Sequence, residues 1–230
     1  MKKNFFSLFL VTLLALGILT GCSSSSGGST GGTYQPSVSG SLSIKFLGAS
    51  WYRSGNYIYQ SYSAEVTNNH PTKAAQFGQV TVTLKDADGK IIKSDTTYIG
   101  TIAAGDTIRY SDIIMFQGGE PSTISLSVST ADYSFVDNSN AIPSSKLSVS
   151  NINYISGDYY SRITGEVHNS SSKDSSMTRV SVIFMKDGKV VGGTFDYVFN
   201  LNHGTSTSFE ILVNNSVPFD SYQVVATPWF

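Results

Sequence analysis

The side chains that could do chemistry in this chain are few and scattered. His70, His168 and His203 are its only imidazoles, and imidazole is the usual base or metal ligand near neutral pH. Their spacing matches no H-E-x-x-H or similar ligand pattern, which reads them as surface or loop residues. Serine is abundant, yet no G-x-S-x-G turn presents one as a nucleophile. Asp86-Ala87-Asp88-Gly89 begins like a calcium loop but lacks the third acidic position and the distal Glu, so it reads as a hairpin turn. Gly118-Gly119 and Gly192-Gly193 precede no helix that could cradle a phosphate. The single thiol, Cys22, leaves no partner for a disulfide and no thiolate cluster. The expectation is a protein that is not an enzyme and holds no metal and no cofactor.

What is left is aromatic. Tyrosines and tryptophans on an exposed sheet face can stack on sugar rings or anchor a protein partner. They also serve as ordinary cross-strand pairs. If Tyr62, Ala64 and Val66 line one face of a strand, period-two alternation turns Tyr57 and Tyr59 to the other face. Tyr160 occupies the matching position later in the chain, while Trp51, Tyr52 and Tyr154 fall just before turns. Tyr57, Tyr59 and Tyr160 are therefore the candidate ligand-binding residues.

The elements that must position them are strands. Charged residues make up only 13% of the 230 positions and apolar ones 40%, against roughly 25% charge in an average soluble protein. Ser, Thr, Asn, Gly and Tyr take their place, a mixture suited to strands and turns. A net charge of −1 provides no basic footprint for nucleic acid. No window of the mature chain carries a clean helical period.

The chain is written twice. Tyr52–Tyr57, "YRSGNY", returns as "YISGDY" at Tyr154–Tyr159; "AEVTN" at Ala64–Asn68 returns as "GEVHN" at Gly165–Asn169. "VTVTLKD" from Val80 and "DGKII" from Asp88 return as "VSVIFMK" from Val180 and "DGKVV" from Asp187. "AAGDT" from Ala103 returns as "NHGTS" from Asn202, in the same order. Each copy reads as short strands: Val80, Val82 and Leu84 alternate before an Asp-Gly turn, and Val180, Val182 and Phe184 repeat the pattern before Asp187-Gly188. Alternation broken by Asp-Gly is a strong hairpin signal. The prediction is all-β: two tandem immunoglobulin-like or fibronectin-like sandwiches over residues 41–136 and 146–230. The polar stretch Asp137–Lys146 reads as a linker, across which relative motion is the default unless a large apolar interface forms.

The N-terminus reads as an address. Lys2 and Lys3 precede an apolar run from Phe5 to Gly21, the pattern of a secretory signal peptide over residues 1–21. It is short for a permanent membrane span. "LTGC", Leu19–Cys22, resembles the lipobox of bacterial lipoproteins, and the chain's only cysteine stands at its end. The resemblance implies a diacylglyceryl anchor with palmitate-type chains on Cys22, which becomes the mature N-terminus. It also implies location on the extracytoplasmic side of the cell envelope, with Ser23 pointing to the outer membrane if the cell has one. Two acyl chains anchor stably where one is marginal. The Gly/Ser-rich stretch over residues 22–40 reads as a flexible tether with a reach of roughly 25 Å.

The order E-V-x-N, an alternating strand ending in Lys85-Asp86, then D-G-K and a Gly-containing turn also resembles FxLYD-type domains, small β-sandwich modules of envelope lipoproteins. Val82–Asp86 keeps the Leu and Asp of the naming motif, with Val for Phe and Lys for Tyr; Val182–Lys186 departs further. That resemblance implies a fold and an envelope location, and it carries no catalytic residues. The functional expectation is a lipid-anchored, non-catalytic protein-interaction module; the alternative is a carbohydrate- or peptidoglycan-binding module using the tyrosines. The expected partners are the membrane, through the lipid, and an envelope protein or cell-wall glycan.

Overall fold

A computed structural model of the protein describes residues 41–131 and 134–229. The signal sequence, the lipobox with Cys22 and the tether over residues 22–40 lie outside the described residues.

Alternation decides the local structure. In β4 (Gly78–Lys85) Val80, Val82 and Leu84 are buried while Gln79, Thr81 and Thr83 between them are not. The first repeat comprises β1 (Leu42–Ser54), β2 (Tyr57–Asn68), β3 (Lys73–Ala75), β4, β5 (Ile91–Ile99), β6 (Thr107–Phe116), β7 (Thr123–Ser129) and β8 (Phe135–Asp137). The second comprises β9 (Leu147–Ile155), β10 (Tyr160–Asn169), β11 (Ser175–Lys186), β12 (Lys189–Leu201), β13 (Ser206–Asn214) and β14 (Ser221–Pro228).

Sheet β1-β2-β6 faces sheet β5-β4-β7 in the first repeat, and β9-β10-β13 faces β12-β11-β14 in the second. All pairings are antiparallel. The strand orders correspond one to one, so the duplication read in the sequence is a duplication of topology. The first repeat adds β3 and β8, which pair with each other. Each sandwich closes over its own apolar cluster, around Tyr62, Val82 and Ile108 in one and Ile163, Val182 and Ile211 in the other.

The turns follow the residues written for them. Asp187 and Gly188 have φ of 51° and 71°, the paired positive values of a two-residue type I′ hairpin. In the first repeat the Asp86 carboxylate instead accepts from the Asp88 and Lys90 amides, which holds a longer loop. Ser54 pairs with Tyr57 across Gly55-Asn56, so the first "YRSGNY" is a tight turn. The second copy is wider: β9 ends at Ile155 and β10 begins at Tyr160. Asn215 pins this loop, donating to the Gly157 carbonyl at 2.7 Å and accepting from the Ser161 amide and hydroxyl.

The Asn of E-V-x-N has a structural role in both copies. Asn68 and Asn169 are fully buried. Asn68 Nδ2 donates to the carbonyls of Lys73, Ile102 and Ala103, and its Oδ1 accepts from the His70 amide. Asn169 Nδ2 donates to the carbonyls of Lys173 and Leu201, and its Oδ1 accepts from the Ser171 amide and hydroxyl. One buried amide thus supplies the hydrogen bonds that two neighbouring loops cannot make among themselves.

The repeats are docked face to face rather than strung on a free linker. Ser61, Ser63 and Ser111, on the outward face of β1-β2-β6, meet Gly192 and Gly193 of β12 and Val182 of β11. Ser61 Oγ donates to the Gly193 carbonyl and accepts its amide, both at 2.6 Å. Ser63 donates to the Gly192 carbonyl at 2.9 Å, and Ser111 to the Val182 carbonyl at 3.0 Å. A Cβ at Gly192 or Gly193 would run into the Ser61 or Ser111 side chain, so only glycine allows this approach.

Side chains cross in both directions. Trp229 is buried in the first repeat's core, and Tyr52 packs on the second repeat's. The linker expectation changes accordingly. Ala141 and Ile142 are buried, and Ser144 donates from its amide and hydroxyl to the Asp106 carboxylate at 2.6 and 2.8 Å. The contact is built from small polar residues against backbone, with aromatic anchors at its ends, which a search for a large apolar face would miss.

Candidate functional site

Docking creates a cleft that neither repeat has alone. β1 and β2 bring Tyr52 and Tyr59 opposite each other, with rings stacked at 5.0 Å and 2°. β10 and β13 bring Tyr160 opposite Asn214. Together with Ile113, Leu212 and Thr194 they line a cleft of about 270 Å³, closed below by Phe184, Gly193 and Val217. The Asn214 side chain lines the same cleft as the Tyr52 phenol. Burial pushes that phenol above its ordinary value, and the neighbouring Tyr59 and Tyr160 hydroxyls push the same way. The Tyr52 phenol therefore stays neutral at physiological pH. At the mouth, Tyr160 is 56% exposed and Leu212 55%.

Of the three tyrosines singled out in the sequence, Tyr59 and Tyr160 meet in this cleft. Tyr57 is exposed beside the β1–β2 turn and does not line it. Tyr52 and Asn214 are the contributors that face-counting missed. Tyr52 stands in the repeated hexapeptide, but only the register pairing it with Tyr59 shows its direction. Asn214 carries no sequence signal.

A second surface lies at the far side of the second repeat. Every residue from Ser150 to Tyr160 is exposed, including Ile152, Tyr154, Ile155, Tyr159 and Tyr160. Among the described residues β9 pairs only with β10, which leaves its other edge without a hydrogen-bonded neighbour there. It contains no charge and no proline, two of the devices by which edge strands avoid pairing. A bulge at Asn151, with φ of 54°, is the one local irregularity. Beside it, the Tyr154, Phe219 and Tyr222 rings lie within 6.0–6.3 Å of one another. Its counterpart β1 carries Lys45 and Arg53 and is contacted by β12 of the other repeat.

The histidines are peripheral. His70 Nδ1 accepts from the Thr72 and Lys73 amides, His168 meets Ser206, and exposed His203 lies 2.9 Å from Asp174. Among the described residues, no group of three or more His, Cys, Asp or Glu could hold a metal ion. No described helix is long and apolar enough to cross a membrane.

Among the described residues the most deeply buried charge belongs to the interface. Arg179 of β11 is 1% exposed and lies 3.5 Å over the Phe195 ring and 4.5 Å over Trp229. Its Nη2 donates to the Ser111 carbonyl and lies 3.4 Å from Asp112. Burial holds the Asp112 carboxyl above the usual range despite the pull of Arg179. The arrangement is a cross-repeat clamp, surrounded by aromatic rings and away from any cleft. No protein-family model matches the chain, and no curated protein is significantly similar to it.

Proposed function

We propose that the protein is a non-catalytic interaction module of the cell envelope. In this reading it is anchored by a lipid on Cys22 and docks an extended segment of another envelope protein along the free edge of β9. The observation that carries the reading is the uncharged, proline-free edge in an unbroken exposed run from Ser150 to Tyr160. A strand added to such an edge gains main-chain hydrogen bonds, and side-chain pockets beside it supply selectivity. The Tyr154–Phe219–Tyr222 cluster lies next to the edge to receive an apolar side chain. The Gly/Ser-rich composition before residue 41 supports a tethered placement, since that composition is typical of tethers.

The test is site-specific photocrosslinking in living cells. A crosslinker at Asn153, exposed on β9, should capture one partner that a crosslinker at Thr83, on the far sheet, does not. Replacing Ile152 and Ile155 by Asp should abolish capture while leaving the circular dichroism spectrum unchanged. Equal capture from both sites, or capture that survives the double substitution, overturns the reading. Cys22→Ser should release the protein from membranes and stop palmitate incorporation.

A further inference from the structure

We propose that the cleft between the repeats, walled by Tyr52, Tyr59 and Tyr160 and reached by Asn214, is a binding site for one neutral pyranose ring of a glycan. This goes beyond β9 docking and uses a different surface. Three features argue for the ligand class.

The first is charge. The lining holds no carboxylate, imidazole, ammonium or guanidinium group. A phosphate, a metal ion or an amine would enter without a countercharge and lose its hydration uncompensated. A neutral polyol would not.

The second is the pairing of surfaces. A pyranose presents a C–H face and a rim of hydroxyls. The cleft offers aromatic and aliphatic walls from Tyr160, Leu212 and Ile113, with hydroxyl and amide groups from Ser54, Thr194, Asn214 and the phenols. Pockets of this kind bind through apolar contact and take orientation from a few placed polar groups. A flat aromatic ligand is less suited, because the Tyr52 and Tyr59 rings already stack on each other and leave no slot between them.

The third is size and closure. A volume of about 270 Å³, just under the usual lower limit for small-molecule sites, holds a single ring and leaves the rest of a chain outside. The buried floor of Phe184, Gly193 and Val217 sets the depth.

Because Tyr52 and Tyr59 come from the first repeat and Tyr160, Leu212 and Asn214 from the second, a bound sugar bridges both. Ligand and interface are therefore coupled: whatever binds the docked form alone stabilises it.

The test uses the full secreted chain with Cys22→Ser, so that detergent is unnecessary. The probes are methyl β-glucoside, N-acetylglucosamine and its β-1,4-linked trimer, read by saturation-transfer NMR and calorimetry. Saturation is expected on the ring C–H protons of at least one probe. Tyr160→Ala and Asn214→Ala should each weaken that binding at least tenfold. Tyr98→Ala, on the opposite end sheet, and the Ile152/Ile155 double Asp variant should leave it unchanged, which separates this site from β9. A Gly193→Ala variant, which props the repeats apart, should also lose it. Binding of none of the probes, or binding that survives Tyr160→Ala, overturns the proposal.

Discussion

Replacing Trp229 with alanine should unfold the half of the molecule to which Trp229 does not belong in sequence. The residue follows β14, the last strand of the second repeat, and its amide donates to the Met177 carbonyl of β11. The residue, however, is 3% exposed within the first repeat's core, with its indole beside Tyr110 and its backbone against Gly100. Truncating a buried tryptophan costs about 3–5 kcal/mol, because the cavity adds to the lost transfer energy. The Arg179 guanidinium also loses a ring 4.5 Å away, worth about 0.5–2 kcal/mol at a desolvated site. The expected loss is about 4–6 kcal/mol, a large part of the 5–15 kcal/mol that holds a typical protein together. For a body of this size, roughly 2–4 °C of melting temperature is lost per kcal/mol, so the melting point should fall by about 10–20 °C. Hydrogen exchange followed by mass spectrometry should show β4, β5 and β6 losing protection together with β11 and β14. The reasoning fails if faster exchange is confined to residues 147–229, or if the loss is under about 1 kcal/mol, no more than an average substitution.

Two other outcomes follow from the buried polar groups. Asn68→Ala and Asn169→Ala should each cost about 2–4 kcal/mol by urea titration, because each removes two or three buried hydrogen bonds to loop carbonyls and leaves a cavity; a cost below 1 kcal/mol at either site would remove the equivalence of the two copies. Acid stability should depend on Glu65. Partial burial raises its pKa, but Arg109 Nη2 at 2.6 Å and Lys45 Nζ at 3.3 Å outweigh that and hold it below its ordinary 4.5. Its contribution is then complete above about pH 4.5 and is lost as pH falls through the lowered folded-state value. Asp112 acts oppositely: its folded-state pKa is raised, so the folded form takes up the proton first and this group favours folding as pH falls. Glu65→Gln should flatten the acid limb of the pH–stability curve while leaving the Asp112 contribution; an unchanged limb would show that other carboxylates control it.

The faces used for docking have counterparts elsewhere in the duplicated fold. Where the first repeat offers Ser61 and Ser111 to its neighbour, the second carries Arg162 and Glu210, an exposed ion pair at 3.3 Å. Where the second repeat offers Gly192 and Gly193, the first carries Lys93 and Ser94 on β5. Ser61, Ser111 and Gly192 are thus small where their counterparts Arg162, Glu210 and Lys93 are long and charged.

Much of the fold was legible because it is local. Period-two alternation in β4 and β11, Asp-Gly at the hairpins and the repeated hexapeptide are short-range signals, and each is enough to specify a strand or a turn. The all-β class and the duplicated topology follow from them. The tyrosine faces were half legible: alternation correctly turned Tyr59 away from Tyr62, and Tyr160 fell into the matching place. Whether outward means solvent or another sheet depends on what lies beyond the strand, and alternation holds no information on that. Ser61 and Gly193 stand 132 positions apart, and each is ordinary in its own strand. Only the close approach of two sheets turns a serine and a glycine into an interface. The same approach brings Tyr52, Tyr160 and Asn214 to one cleft and carries Trp229 into a core written mostly by the first repeat. The strands, turns and duplication were determined by the sequence alone, because period and turn chemistry act over a few residues. The docking of the repeats, and with it the cleft, was decided by tertiary structure, because it depends on shape complementarity between surfaces distant in the chain.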